Sequence, residues 1–124
     1  WALAIDVTNA DDYAPDATIK MGNGPSITIK DAEMLGNHEL NNWITNLAKK
    51  HKIPLQFDVS DFGTTDALNI AVSRKGVPAT ALTVPVRNLH TTIGMVNRND
   101  INNCNYEFFH NLINNLQVLF YHQD

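Results

Sequence analysis

Two runs of this chain are apolar at nearly every position, and they limit the fold more than any other feature. Residues Trp1 to Val7 and Ala79 to Val86 read as strands with no polar face. A strand that alternates needs cover on one side only, whereas a continuously apolar strand belongs inside a sheet packed on both faces. The segments between them supply the cover. From about Asn37 to His51, the residues Leu40, Trp43, Ile44, Leu47 and Ala48 fall on one helical stripe, and Pro54 stops the pattern. Residues Leu55 to Val59 then alternate as a half-buried strand suited to a sheet edge. Thr65 or Asp66 caps a short helix reaching about Lys75, which Gly76 and Val77-Pro78 end. Asn99 or Asp100 caps a long final helix with the stripe Ile101, Cys104, Phe108, Leu112, Ile113, Leu116 and Leu119. Residues Thr8 to Pro25 are a polar loop with the turn Gly22-Asn23-Gly24-Pro25, and Ile27-Thr28-Ile29 is a short strand exposed on one face. This order of strands and helices predicts an α/β protein with a mixed, mostly parallel sheet and covering helices.

At 124 residues the chain has the size of one domain. Hydrophobic residues at 44% and charged ones at 18% fit a globular protein rather than a disordered one. The net charge of -4 gives nucleic acid no general attraction, and the basic groups Lys49-Lys50-His51-Lys52 and Arg74-Lys75 sit where cations complement helix ends. No apolar run is long enough to span a bilayer, and no leader pattern precedes a cleavage site. With one cysteine, Cys104, on an apolar stripe, a buried structural thiol in a cytoplasmic protein is expected. The chain starts at Trp1, already inside a strand pattern, so an upstream segment is expected.

Asp6 and His90 carry the chemistry. In open α/β sheets ligands gather outside the carboxyl ends of strands, and Asp6 ends the first apolar strand while His90 follows the second. Carboxylate and imidazole are ligands for zinc, cobalt or manganese, but one ion needs three or four donors. An Asp after a strand also caps turns, and a lone His in a loop is also simply solvated, so both readings stay open. His38, His51, His110 and His122 show no metal spacing. Phosphate loops, nucleophile elbows, His-Glu-x-x-His and Cys-x-x-Cys motifs are all missing from the sequence. Ser60, Thr64 and Thr65 lack an adjacent base, and capping accounts for them.

The runs AIDVTNADD, IKMGNGPSI and FGTTDALNIAVSRKGVPATALTVPVRNLHTT, followed by a polar turn and a terminal helix, go further. In order and spacing they resemble the end of the catalytic domain of the dinuclear metallo-aminopeptidases, a family that includes glutamyl aminopeptidase and the tetrahedral, self-compartmentalising aminopeptidases. Some of its members have carried the name endoglucanase. The Asp-Val-Thr, Gly-x-Gly-Pro, Thr-Asp-Ala and Arg-x-x-His elements are specific as a set, and the likeness covers nearly the whole chain.

The resemblance implies a zinc-peptidase-like α/β/α sandwich, present here as its C-terminal portion, residues 1–124. It implies that Asp6 ligates one of two divalent metal ions, zinc or cobalt, and that His90 ligates the other. The remaining ligands, the general-base glutamate and an inserted dimerisation domain would all lie upstream, with a Glu-Glu pair roughly 20 residues before Asp6. Thr65 and Asp66 match a loop close to the active site, which implies a substrate-binding role. Two positions depart from the family pattern. Gly63-Thr64-Thr65-Asp66-Ala67-Leu68 stands where Gly-Gly-Thr-Asp-Ala-Gly is usual, which bears on pocket shape. Thr91 stands where Ser is common and keeps the hydroxyl. The expected parent is a homo-oligomeric aminopeptidase, from dimer to dodecamer, acting on peptides, and the chain alone is expected to be inactive and not to bind both metals fully. The competing expectation is a non-catalytic α/β segment or interaction module without metal. Polysaccharide hydrolysis needs a carboxylate pair flanking a sugar groove, and none stands out.

Overall fold

A computed structural model describes residues 1–108 and 110–114, so the expected helical positions Leu116 and Leu119, with His122, lie outside the described residues. The elements are β1 (Ala2–Asn9), β2 (Ser26–Lys30), α1 (His38–His51), β3 (Gln56–Val59), α2 (Asp66–Ala71), β4 (Ala79–Arg87), β5 (Met95–Val96) and α3 (Arg98–Asn102), which runs into π-helical turns over Asn103–Phe108. The strands form one mixed sheet in the order β1-β4-β2-β3, with β5 paired to β4. The β1–β4 and β2–β3 pairs are parallel, and β2 meets β4 antiparallel. The carboxyl ends of β1 and β4 therefore share one edge of the sheet, opposite those of β2 and β3. No helix among the described residues is long and apolar enough to cross a membrane.

Helix α1 forms where its stripe and its ends agree. The Asn37 side chain accepts the Leu40 N–H at 2.9 Å, Glu39 lies in the first turn, and Lys49, Lys50 and His51 lie in the last. Lys52 then takes a left-handed φ of 57° and the Ile53 N–H returns to the Ala48 carbonyl. The inner face puts Leu40, Ile44, Leu47 and Ala48 against Ile27 of β2 and Leu82 and Val84 of β4, and Cys104, Phe108 and Leu112 close the same core. Full burial of a side chain such as Ile44 stabilises by about 1.5–3 kcal/mol. Burial pushes the Cys104 thiol up to about 11, so it stays a neutral packing group.

The other face of the sheet is covered by α2. Its Ala67 packs with Met34 on Ala79 and Ala81 of β4, with Ala2 and Ala4 of β1 beside them. Small residues on both sides let the helix lie close to the strands. This helix ends at Ala71, short of the expected Lys75. The Ser73 hydroxyl donates to the Ile70 carbonyl and Arg74 takes a φ of 53°, so the chain unwinds into turns that end when the Val77 N–H reaches the Ala71 carbonyl.

Four local expectations are corrected. Among the described residues, strand β1 is an outer strand: β4 flanks it on one side, and Ile5 and Val7 keep 43% and 41% exposure, because α1 packs over β2 and β4 instead. Strand β2 is inner, and Ser26, Ile27 and Thr28 are buried between β4 and β3. In β3, which is an outer strand as expected, the alternation runs in the opposite phase: Phe57 and Val59 face outward and Asp58 is buried. The cap of α3 is Asn97, which accepts the Asn99 N–H at 2.8 Å. Asp100 is instead fully buried and accepts the N–H groups of Gly22 at 2.6 Å and Gly24 at 2.9 Å. Gly24 has a φ of 93°, and a Cβ there would collide with the Pro54 carbonyl, so only glycine suits this turn.

Candidate metal site on the β1–β4 edge

The parallel register sets Asp6 opposite Thr83, with Val7, Thr8 and Asn9 still paired to β4 beyond it. Asp6 is therefore inside β1 rather than at its end. It is exposed, and its Oδ1 accepts the N–H of Val7 at 2.8 Å. Period-two alternation puts it on the α2 side of the sheet, in line with Ala2 and Ala4. Helix α2 covers those alanines and leaves Asp6 bare.

His90 lies beyond the end of β4, in a turn where the Asn88 carbonyl accepts the Thr91 N–H at 3.2 Å and the Thr91 hydroxyl at 2.6 Å. Asn88 and His90 adopt φ values of 54° and 62°, the left-handed region that Asn and His tolerate best after glycine. That conformation costs roughly 1 kcal/mol. The imidazole of His90 is exposed. Arg87, the last residue of β4, precedes the turn, and its Nε and Nη2 donate to Asp12 Oδ1 and Oδ2 at 2.6 and 2.9 Å.

Thr65 and Asp66 start α2. The Thr65 hydroxyl accepts the Ala67 N–H at 3.3 Å as the helix cap, and Asp66 is exposed in the first turn. Both stand on the element that packs against β1 and β4 on the Asp6 side of the sheet.

On that face the strands carry a further polar group that the sequence did not disclose. Ser26 Oγ and Thr83 Oγ1 share a hydrogen bond of 2.7 Å, and the Thr8 hydroxyl donates to Asp58 Oδ2 at 2.6 Å. Burial, with the nearby charge of Asp31, holds the Asp58 carboxyl above its usual range despite the Thr8 bond. Asp31 is itself buried. Its Oδ1 accepts the N–H groups of Glu33 and Met34, and its Oδ2 has no partner among the described residues. Nothing in a run such as Gln56-Phe57-Asp58-Val59 marks the aspartate as the inward residue, so local sequence offered no signal for it.

The donor types at Asp6 and His90 suit a divalent cation, and both side chains are exposed at neighbouring strands. Among the described residues, no group of three or more His, Cys, Asp or Glu side chains is arranged to hold a metal ion.

The sequence model of the M42 glutamyl aminopeptidase family matches residues 1–106. A lysyl aminopeptidase of Pyrococcus furiosus is 32% identical over 104 residues, covering 82% of this chain and 29% of that protein. The solved structure of a TET aminopeptidase from Thaumarchaeota archaeon SCGC AB-539-E09 superposes with a TM-score of 0.81 at 33% identity, over 90% of this chain and 32% of that one. The TET1 peptidase of Pyrococcus horikoshii, which can assemble into a tetrahedron or a large octahedral shell, gives 0.71 at 25% identity over 89% and 32%. The chain spans about a third of the length of the curated relatives it matches. It belongs to the M42 glutamyl aminopeptidase family.

Proposed function

We propose that this chain is the C-terminal portion of the catalytic domain of a metal-dependent aminopeptidase that removes N-terminal residues from peptides. The observation that supports it most directly is the parallel β1–β4 pair, with one carboxylate on the first strand and one imidazole beyond the second, in a member of a peptidase family. Asp6 would hold one divalent ion and His90 a second, zinc or cobalt. When bound, such ions supply an activated water and polarise the scissile carbonyl. Thr65 and Asp66 line the substrate side from the start of α2. The glutamate that takes the water proton and returns it to the leaving amine, and the remaining ligands, belong to other segments of the parent. The parent assembles as a homo-oligomer, a reading supported by the shells formed by the Pyrococcus horikoshii relative.

The half-site reading makes two measurements decisive. Calorimetric titration of the 124-residue chain with zinc or cobalt is expected to show weak binding, and no release of p-nitroaniline from an aminoacyl p-nitroanilide should follow. Tight stoichiometric binding would contradict the half-site. In a longer polypeptide that contains this segment and cleaves peptides, His90→Ala or Asp6→Ala should abolish cleavage. Undiminished activity after either change sinks the assignment and leaves a non-catalytic interaction module.

A further inference from the structure

We propose that the Arg87–Asp12 ion pair is a positioning device that fixes the segment bearing His90 relative to the strand bearing Asp6. The inference rests on the ligand roles proposed above and adds two residues outside them. Arg87 is three positions before His90, and Asp12 is six positions after Asp6. Their bond therefore joins the last residue of β4 to the loop just past β1, close to both ligand-bearing segments.

Three features separate this pair from an ordinary surface contact. First, it is a two-point fork at 2.6 and 2.9 Å, so it fixes orientation as well as distance. Second, Asp12 is enclosed. Its side chain keeps 7% exposure, and Oδ2 also accepts the Met21 N–H at 3.1 Å, so the pair ties down the loop between β1 and β2 as well. The other ion pair among the described residues, Lys30–Asp61, is a single contact with 40% and 85% exposure. Third, the His90 turn, closed at its base by the pairing of Val86 with Val96 and Arg87 with Met95, has few ties to other segments among the described residues. Its bonds are local, from Thr91 to Asn88, from Asn88 Nδ2 to the Ile93 carbonyl and from the Ile93 N–H to Thr91 Oγ1. Between the loop after β1 and the end of β4, the backbone adds the Ala10 N–H to Val86 carbonyl bond at 2.9 Å. The guanidinium also holds the Asp12 carboxyl below the usual carboxylate range, so the pair stays ionised through the neutral region.

The substitution that isolates this role is Arg87→Lys, which keeps the charge and loses the fork. Isotope-labelled chain titrated with manganese(II) reads weak metal association through line broadening, with the Val7 amide reporting on Asp6 and the Thr91 amide on His90. In the wild-type chain both amides should broaden over the same range of manganese. In Arg87→Lys the concentration that broadens Thr91 should rise about tenfold, the size typical of losing a partner that orients a ligand. The Val7 response and the thermal midpoint should stay near wild type, a split that general loosening would not give. Lys30→Ala should change neither amide. If Arg87→Lys loses its dispersed spectrum, Asp12→Asn carries the same test, because it retains an acceptor for Met21. A folded variant whose two amides titrate as in wild type overturns the positioning role alone. A wild-type chain with neither amide broadened overturns the ligand assignment and the positioning role with it.

Discussion

The two faces of this sheet are built from different materials. On the α1 side, Ile27, Ile44, Leu82 and Phe108 are essentially fully buried in one continuous core under a 14-residue helix. The α2 side offers alanines under a 6-residue helix, and the strands there also carry Asp6, Thr8, Thr83, Ser26 and Asp58. One face removes apolar area from water. The other keeps polar groups at fixed positions and leaves Asp6 uncovered. The difference teaches that apolar packing and these polar groups are divided between faces of the same four strands, so a change can strike one and spare the other.

The largest expected effect tests the stabilising face. Ile44→Ala should cost about 3 kcal/mol in urea unfolding, since it deletes buried methyl groups with little chance of collapse. A loss comparable to that of a surface change would mean that α1 does not dominate. On the α2 face, Asp58→Asn should raise stability at neutral pH by about 1 to 2 kcal/mol, limited by partial solvent screening, because the amide still accepts the Thr8 hydroxyl without burying a charge. The sign follows from the raised carboxyl. The native state binds the proton more tightly than the unfolded chain does, so the penalty is full above the raised value and vanishes below the ordinary 3.8. The advantage of the Asp58→Asn variant over the parent should therefore fade as the pH drops through that window. A constant advantage at all pH values would remove charge burial as its cause.

Smaller effects sharpen the contrast. His90→Gly should stabilise the fold by about 1 kcal/mol by relieving a left-handed backbone, while ending manganese broadening at Thr91. A destabilised variant would show that the imidazole holds the turn together. Lys30→Ala, which removes an exposed ion pair, should shift the unfolding free energy by less than about 0.5 kcal/mol.

The α/β architecture was legible because it rests on patterns that local sequence carries. Strand β4 needed cover on both faces, the Leu40 to Ala48 stripe named the buried side of α1, and Asn, Pro and Gly marked its ends. The proposed site, at Asp6, His90, Thr65 and Asp66, rests on a family pattern rather than on local chemistry. What escaped depended on distant partners. Apolar residues at Ile5 and Val7 say that a strand can be covered, and only its neighbours decide whether it is. Asp58 turns inward, where Thr8, fifty residues away, supplies a donor. Asp12 and Asp100 read as loop and cap residues, yet each accepts backbone N–H groups from the loop between β1 and β2. A two-residue strand such as β5 is below the length at which alternation can be seen.

The bare side of β1 matters for handling the protein in solution. Along its outer edge the strand presents backbone donors and acceptors with no strand beside them among the described residues, and its register with β4 has no bulge to twist that edge away. Natural edge strands discourage self-association with lysine, proline or bulges. This one, Ala2–Asn9, carries a single charge, Asp6. The same carboxylate proposed as a metal ligand is thus the one charge on this strand that can oppose sheet-to-sheet sticking. Neutral substitutions at Asp6 made to study metal association belong at low protein concentration, where loss of solubility is not mistaken for loss of a ligand.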